Sequence, residues 1–340
     1  MYKRKYNYDE RFFKGFSSFL EGLHKRSVNE YLSTYAKSDT TAEQKVNLSK
    51  INSFVGYLED YIVSLTALGF ITAENINDVL GEVKKIKSIS VLPKNQRGIY
   101  GLTTRDYKIE INPNLKSSNT LTSEERTLLY VSHEVGHIIH KMWTEDLEEY
   151  LKYSTYNSNI KDLVLKTSMN NRYCALDGLS LIDEATTQET AEMVVYHMKK
   201  RKRPPKMYYK SAEMYNGEPY ASNFDYYKEL EEPAVLFGRT LRGIGTSKDT
   251  PDSEIMTSLA KRAFNKNFTW DIIREYQETK ELEQDFFNTL ICLGRIKDAS
   301  YGMFGHAALA DSNPLSGKYL SNLKYFCKKN EDYRPKEKKI

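Results

Sequence analysis

The chain of 340 residues is 40% hydrophobic and 28% charged, enough apolar material for one large core or two ordinary ones. The 50 basic and 46 acidic residues leave a formal charge of +4, too slight to mark a nucleic-acid-binding surface by itself. The three cysteines, Cys174, Cys292 and Cys327, are odd in number, widely spaced and free of C-x-x-C, so neither a disulfide framework nor a thiolate zinc site is supported, and a reducing compartment fits best.

The N-terminus, MYKRKYNYDERFFKGFSSFLEGLHKR, opens basic but has neither a continuous apolar run nor a small-residue cleavage site, so no secretory signal is expected. Phe12, Phe16, Phe19, Leu20 and Leu23 recur at helical spacing and predict an amphipathic helix over about 8–35, with further helices over about 43–68 and 76–86. The longest apolar stretch, YIVSLTALGFIT, is too short and interrupted to span a bilayer, and a cytoplasmic location without membrane contact is expected. SISVLPKNQRGIYGLTTRDYKIEINPNL alternates β-branched with polar residues around Gly98 and Gly101, the pattern of a small antiparallel hairpin ending at Asn112-Pro113. Ser123, followed by Glu125 and Arg126, opens the next helix, and further helices are predicted near 145–153, 159–168, 181–199, 225–242, 254–265 and 269–294. The tail KKNEDYRPKEKKI is too charged to pack and is expected to be disordered.

VSHEVGHIIH, Val131 to His140, carries the chemistry. Residues four apart on a helix stand on one face, so His133 and His137 can direct their imidazoles at one ion. Glu134 is turned about 100° from His133, off the metal but near enough to take a proton from a water on it. Zinc lowers that water's pKa and the carboxylate makes it a nucleophile, which is the mechanism behind H-E-x-x-H. Tyr130, Val131, Val135, Ile138 and Ile139 flank the motif as a buried helix requires, and Gly136, costing about 1 kcal/mol relative to alanine, suggests close approach by another segment. The alternative is a core helix with two partly buried histidines beside a solvated glutamate.

A catalytic zinc needs a third protein ligand and an open fourth position. The metzincin continuation fails, because its glycine position is His140 and its third histidine position is Trp143. LSLIDEATTQETAEMVVYHM offers a glutamate instead: Ser180 with Asp183 resembles a capping box that starts a helix near Leu181, and one stripe then runs Leu181, Glu184, Gln188, Ala191, Val195. A carboxylate on such an inward stripe is expensive unless paired, and a metal held by His133 and His137 would satisfy Glu184. Gln188, one turn on, can accept the outer N–H of a ligating histidine. Glu232 is the rival ligand; Pro233 after it suits a first helical position and places Glu232 at a helix entry. His140 reads as a structural hydrogen-bonding residue. His306, between glycines in YGMFGHAAL, is a possible oxyanion stabiliser or a surface-loop histidine. The run KKRKRPPK, Lys199 to Lys206, reads as a solvated helix end, or else as a patch for an acidic partner.

HEVGH followed by DEATTQ resembles the gluzincin clan of zincin metallopeptidases over roughly residues 88–200. The resemblance implies one Zn2+ held by His133, His137 and Glu184, with Glu134 as general base. The segment ending YKIEINPNL is similar to that clan's edge strand above the metal, which pairs with an extended peptide. Two positions depart from the pattern: Gln188 stands where an acid is common, and Asp183 where asparagine is common. The spacing between the two motifs is closer to that of lethal-factor-like toxins than to that of thermolysin-like enzymes. Bacterial H-E-x-x-H proteins of mobile genetic elements also look similar.

The expectation is thus an α+β, predominantly helical chain. It comprises an N-terminal helical region (1–87), a zincin-like metallopeptidase domain with a small antiparallel sheet (88–296), and a C-terminal segment with a basic tail (297–340). Its expected activity is zinc-dependent endopeptidase cleavage of a protein or peptide, with no nucleic-acid partner. The competing readings are a non-catalytic interaction protein on a zincin scaffold and a nucleic-acid-associated factor using Lys199–Lys206.

Overall fold

The computed structural model describes residues 15–94, 99–117, 121–154, 169–198, 223–241, 243–244, 249–277, 288–297 and 314–332. The described chain is predominantly helical with a small sheet, an α+β arrangement. Three helices come first: α1 (Phe16–Thr34), α2 (Thr41–Ala67) and α3 (Ile76–Val83). Thr40 caps α2 through a reciprocal box, its hydroxyl accepting from the Glu43 N–H while the Glu43 carboxylate accepts from the Thr40 N–H. The strands β1 (Ser88–Val91), β2 (Gly101–Thr103) and β3 (Lys108–Ile111) follow, then α4 (Ser123–Ser154) and α5 (Met169–Met198). The remaining described helices are α6 (Asn223–Thr240), α7 (Asp252–Ala263), α8 (Phe268–Gln277), α9 (288–297) and α10 (Pro314–Asp332).

The expected antiparallel hairpin is present as β2 and β3, joined through residues 104–107, and β1 adds to it as a parallel strand that the sequence did not predict. The sheet order is β1-β3-β2, with β2 antiparallel to β3 and β1 parallel to it, Ile89 opposite Ile109 and Val91 opposite Ile111. The strand in YKIEINPNL is therefore the central one, and β2 is an edge. The other edge, β1, is covered: Ser27 on α1 accepts from the Ile89 N–H, and Arg26 donates to the carbonyls of Ile86 and Lys87.

Three helix expectations are corrected. The α4 helix runs unbroken to Ser154 instead of stopping before a separate helix at 145. The α5 helix begins at Met169, so Ser180 is inside it, accepting from Lys297 Nζ at 2.7 Å instead of capping an end. Pro233 lies inside α6 instead of opening it. The helix expected over 159–168 and most of the basic tail fall outside the described residues.

Two compact units emerge, Met1–His140 with Thr187–Met207, and Lys141–Thr186 with Tyr208–Ile340. The first packs Leu20 and Leu23 of α1, Phe54 and Leu58 of α2 and the isoleucines of the sheet into its core. The core of the second gathers Trp143, Leu179, Phe237, Leu259, Phe268 and Leu290. All three cysteines are free and buried. Among the described residues no helix is long and apolar enough to cross a membrane.

Within the second unit α5 and α9 touch backbone to backbone. A Cβ on Gly294 would stand 1.8 Å from the Cys174 carbonyl oxygen, and one on Gly178 would stand 2.0 Å from that of Leu290. Neither neighbour is a flexible side chain that can swing aside. Gly294→Ala should therefore lower unfolding stability by about 1–3 kcal/mol or more, seen as a lower urea midpoint at unchanged slope.

Glu59 on α2 is 3% exposed, and its carboxyl is pushed up to about 7, first by burial and then by the charge of adjacent Asp60. A folded value above the ordinary 4.5 favours the folded state fully only below 4.5, and that contribution is lost as pH rises through 7. Glu59→Gln should match the wild type in urea unfolding towards pH 4.5 and exceed it by on the order of 2–3 kcal/mol at pH 8.

Candidate metal centre

The first turn of α4 is secured by a capping box: the Thr122 N–H donates to Glu125 Oε2 at 2.7 Å and the Glu125 N–H to Thr122 Oγ1 at 3.2 Å. Val131, Val135, Ile138 and Ile139 are buried, which fixes the rotation of the helix. His133 is 3% exposed and His137 half-buried. Their Nε2 atoms are 3.0 Å apart, with the ring planes at 90°. The i, i+4 spacing thus delivers two imidazole nitrogens to one point.

Helix α5 comes unusually close to α4 at Gly136. A Cβ there would lie 2.7 Å from Thr187 Cγ2 and 3.3 Å from the Tyr61 hydroxyl, which is the close approach that a glycine inside a buried helix implies. Beside it Thr187 Oγ1 and His140 Nδ1 form a hydrogen bond at 3.0 Å, so His140 is a structural partner, as its position suggests. Thr186 and Thr190 are fully buried, and their hydroxyls donate back to the carbonyls of Ile182 at 2.8 Å and Thr187 at 2.9 Å. The small, internally satisfied threonines let the helices meet. Glu184 precedes Thr187 by three residues on the same uninterrupted helix.

His133, His137 and Glu184 each offer one ligand atom, and these atoms all lie within 4.8 Å of one another. Ligands bound tetrahedrally at about 2.0–2.2 Å stand roughly 3.3–3.5 Å apart. The histidine pair, with its Nε2 atoms 3.0 Å apart, is already near that spacing. Two imidazoles and one carboxylate form a possible metal-binding group, and no other trio of His, Cys, Asp or Glu is so grouped among the described residues. Glu232 is exposed and paired with Lys324 Nζ at 2.9 Å. Gln188 is 5% exposed; its Nε2 donates to Glu192 Oε1 at 2.5 Å, while its Oε1 has no hydrogen-bond partner, so the expected acceptance of a histidine N–H is not seen. His306, Gly98 and the run Lys199–Lys206 lie outside the described residues.

Glu134 leaves the histidine face and meets strand β2. It is 7% exposed. Thr103 Oγ1 lies 2.8 Å from Glu134 Oε2 and 2.9 Å from the Glu134 main-chain oxygen, and a Cβ on Gly101 would lie 2.6 Å from Oε1. The strand is held there from its other end as well. Tyr100 stacks on Tyr130 with centroids 4.8 Å apart, and the Arg126 guanidinium lies 5.2 Å from the first ring centre and 5.9 Å from the second. Burial pushes the Tyr130 hydroxyl up to about 12 despite the opposing effect of Arg126, so it stays protonated.

Hydrogen bonding also orients the edge. Asn112 N–H donates to Tyr100 O and Thr104 N–H to Lys108 O. In an antiparallel ladder the bonded positions alternate, so the main-chain groups of Gly101 and Thr103 point away from β3, towards the open edge.

The chain matches no protein-family model, no curated protein and no solved structure.

Nothing in the local sequence singles out Thr103 or Gly101, because their role depends on strand-to-helix register. In titrations with Zn2+ as probe, Glu184→Ala and His137→Ala should each weaken binding by more than about 100-fold, since losing even an outer partner of a ligand costs 10–100-fold. Glu232→Ala should bind as the wild type does.

Proposed function

We propose that the protein is a zinc-dependent metallopeptidase of gluzincin type, an endopeptidase acting on extended protein or peptide segments. The observation that carries this reading is the grouping of His133, His137 and Glu184, with Glu134 held on the adjacent face of the same helix. Two histidines and one glutamate with a free fourth position are the donor set of hydrolytic zinc sites. When bound, the ion would lower the pKa of a coordinated water towards 7 and polarise the scissile carbonyl.

The protein's own groups supply the rest. His133, His137 and Glu184 hold the ion. Glu134 accepts the proton of the attacking water on its carboxylate and delivers it to the departing amine nitrogen, a transfer that contributes typically 10²–10⁴-fold. The outward main-chain groups of Gly101 and Thr103 can pair with an extended peptide, adding a strand to the edge of the sheet. This edge is β2, whereas the sequence resemblance gave the role to the segment ending YKIEINPNL.

The deciding measurement is turnover of a quenched-fluorescence peptide library and of unfolded casein by zinc-loaded protein. Wild type should cleave. Glu134→Gln should keep one zinc per chain and lose about 10²–10⁴-fold in rate, and His137→Ala should lose both zinc and cleavage. Stoichiometric zinc in a wild type that cleaves nothing would refute the peptidase and leave a zinc-binding interaction protein.

A further inference from the structure

The contacts of Glu134 contain more than a general base in place. In a strand, residues two apart share a face, so Gly101 and Thr103 address α4 together. The Thr103 hydroxyl reaches both ends of Glu134, its main-chain oxygen at 2.9 Å and its carboxylate Oε2 at 2.8 Å. One donor placed between the two ties the side chain back onto its own backbone and limits the rotamers open to it. Gly101 controls the other oxygen: a Cβ would come within 2.6 Å of Oε1, 2.9 Å of Cγ and 3.0 Å of Cδ. Any larger residue at 101 would push the carboxylate aside. Among the described residues the Glu134 carboxylate makes no other hydrogen bond.

We infer that Thr103 is a positioning residue for Glu134, with Gly101 providing the space its carboxylate occupies, so that the strand offered to substrate also sets the base. This rests on the peptidase reading. The main-chain groups of the same two residues face the open edge of the sheet. A peptide paired there is thereby placed in register with the carboxylate. The stack of Tyr100 on Tyr130 and the Arg126 guanidinium anchor the strand against α4 independently of Glu134, so the geometry does not rely on the hydroxyl for its fold.

The experiment compares Thr103→Val, which keeps the shape and removes the donor, with Thr103→Ser, which restores it, in zinc-loaded protein. A hydrogen bond to a charged group corresponds to roughly 10- to 100-fold, so Thr103→Val should lower kcat by at least about 10-fold with KM and zinc affinity unchanged. Thr103→Ser should recover most of that rate. Added to Glu134→Gln, Thr103→Val should cost nothing further, because both changes remove one function. A crystal structure of Thr103→Val should show the Glu134 carboxylate in a different rotamer from the wild type. Wild-type kcat in Thr103→Val, failure of serine to rescue, or an unmoved Glu134 would each overturn the inference. If the wild type cleaves nothing, the peptidase reading fails by itself, and the Glu134 rotamer in Thr103→Val still decides the positioning role.

Discussion

The candidate site depends on how closely α4 and α5 can approach at Gly136. The helices meet where a hydrogen replaces a side chain, with Thr187 filling the space and bonding to His140 one turn further along α4. A glycine inside a helix costs about 1 kcal/mol relative to alanine, and here the cost is offset by packing that only glycine permits. His133 and His137 stand on α4, and with Glu184 they form a possible metal-binding group. The buried threonines of α5 serve the same end, because each satisfies its hydroxyl within its own helix or against α4 and asks nothing of the surroundings.

The sheet adds an asymmetry. Its β1 edge is closed by Ser27 and Arg26 from α1, while the outward groups of β2 have no such cover among the described residues. An open edge is a liability that proteins normally blunt. Here it is only three residues long, and its side chains on one face are committed to Glu134. The edge is thus kept short and is anchored against α4 by the Tyr100–Tyr130 stack.

What was legible in the sequence follows from the range of the interactions involved. The pairing of His133 with His137 is a property of one helix and could be read from spacing; Glu184 could be read from the inward stripe of another. The sheet order could not, because the parallel pairing of β1 with β3 arises only when β2 folds back on the far side. The cap signal at Ser180 and Asp183 was genuine local chemistry, but burial of Ala175 and Leu179 in the second core extends α5 past it. Pro233 was overridden in the same way: with Leu230, Ala234 and Phe237 buried around it, the core holds α6 together through a residue that cannot donate a helical hydrogen bond. Glu232, next to it, is turned outward to Lys324. The grip of Thr103 on Glu134 joins positions 31 residues apart and has no sequence signature.

The burial of Glu134 bears on whether this is a site or a core. An ionised carboxylate can accept about four hydrogen bonds, and this one, 7% exposed, receives a single hydroxyl. Its other oxygen, Oε1, is bounded by the Gly101 side of strand β2. Under the proposed reading this arrangement is what a general base needs: one hydroxyl fixes the orientation of the carboxylate and the remaining acceptor capacity is left for a proton.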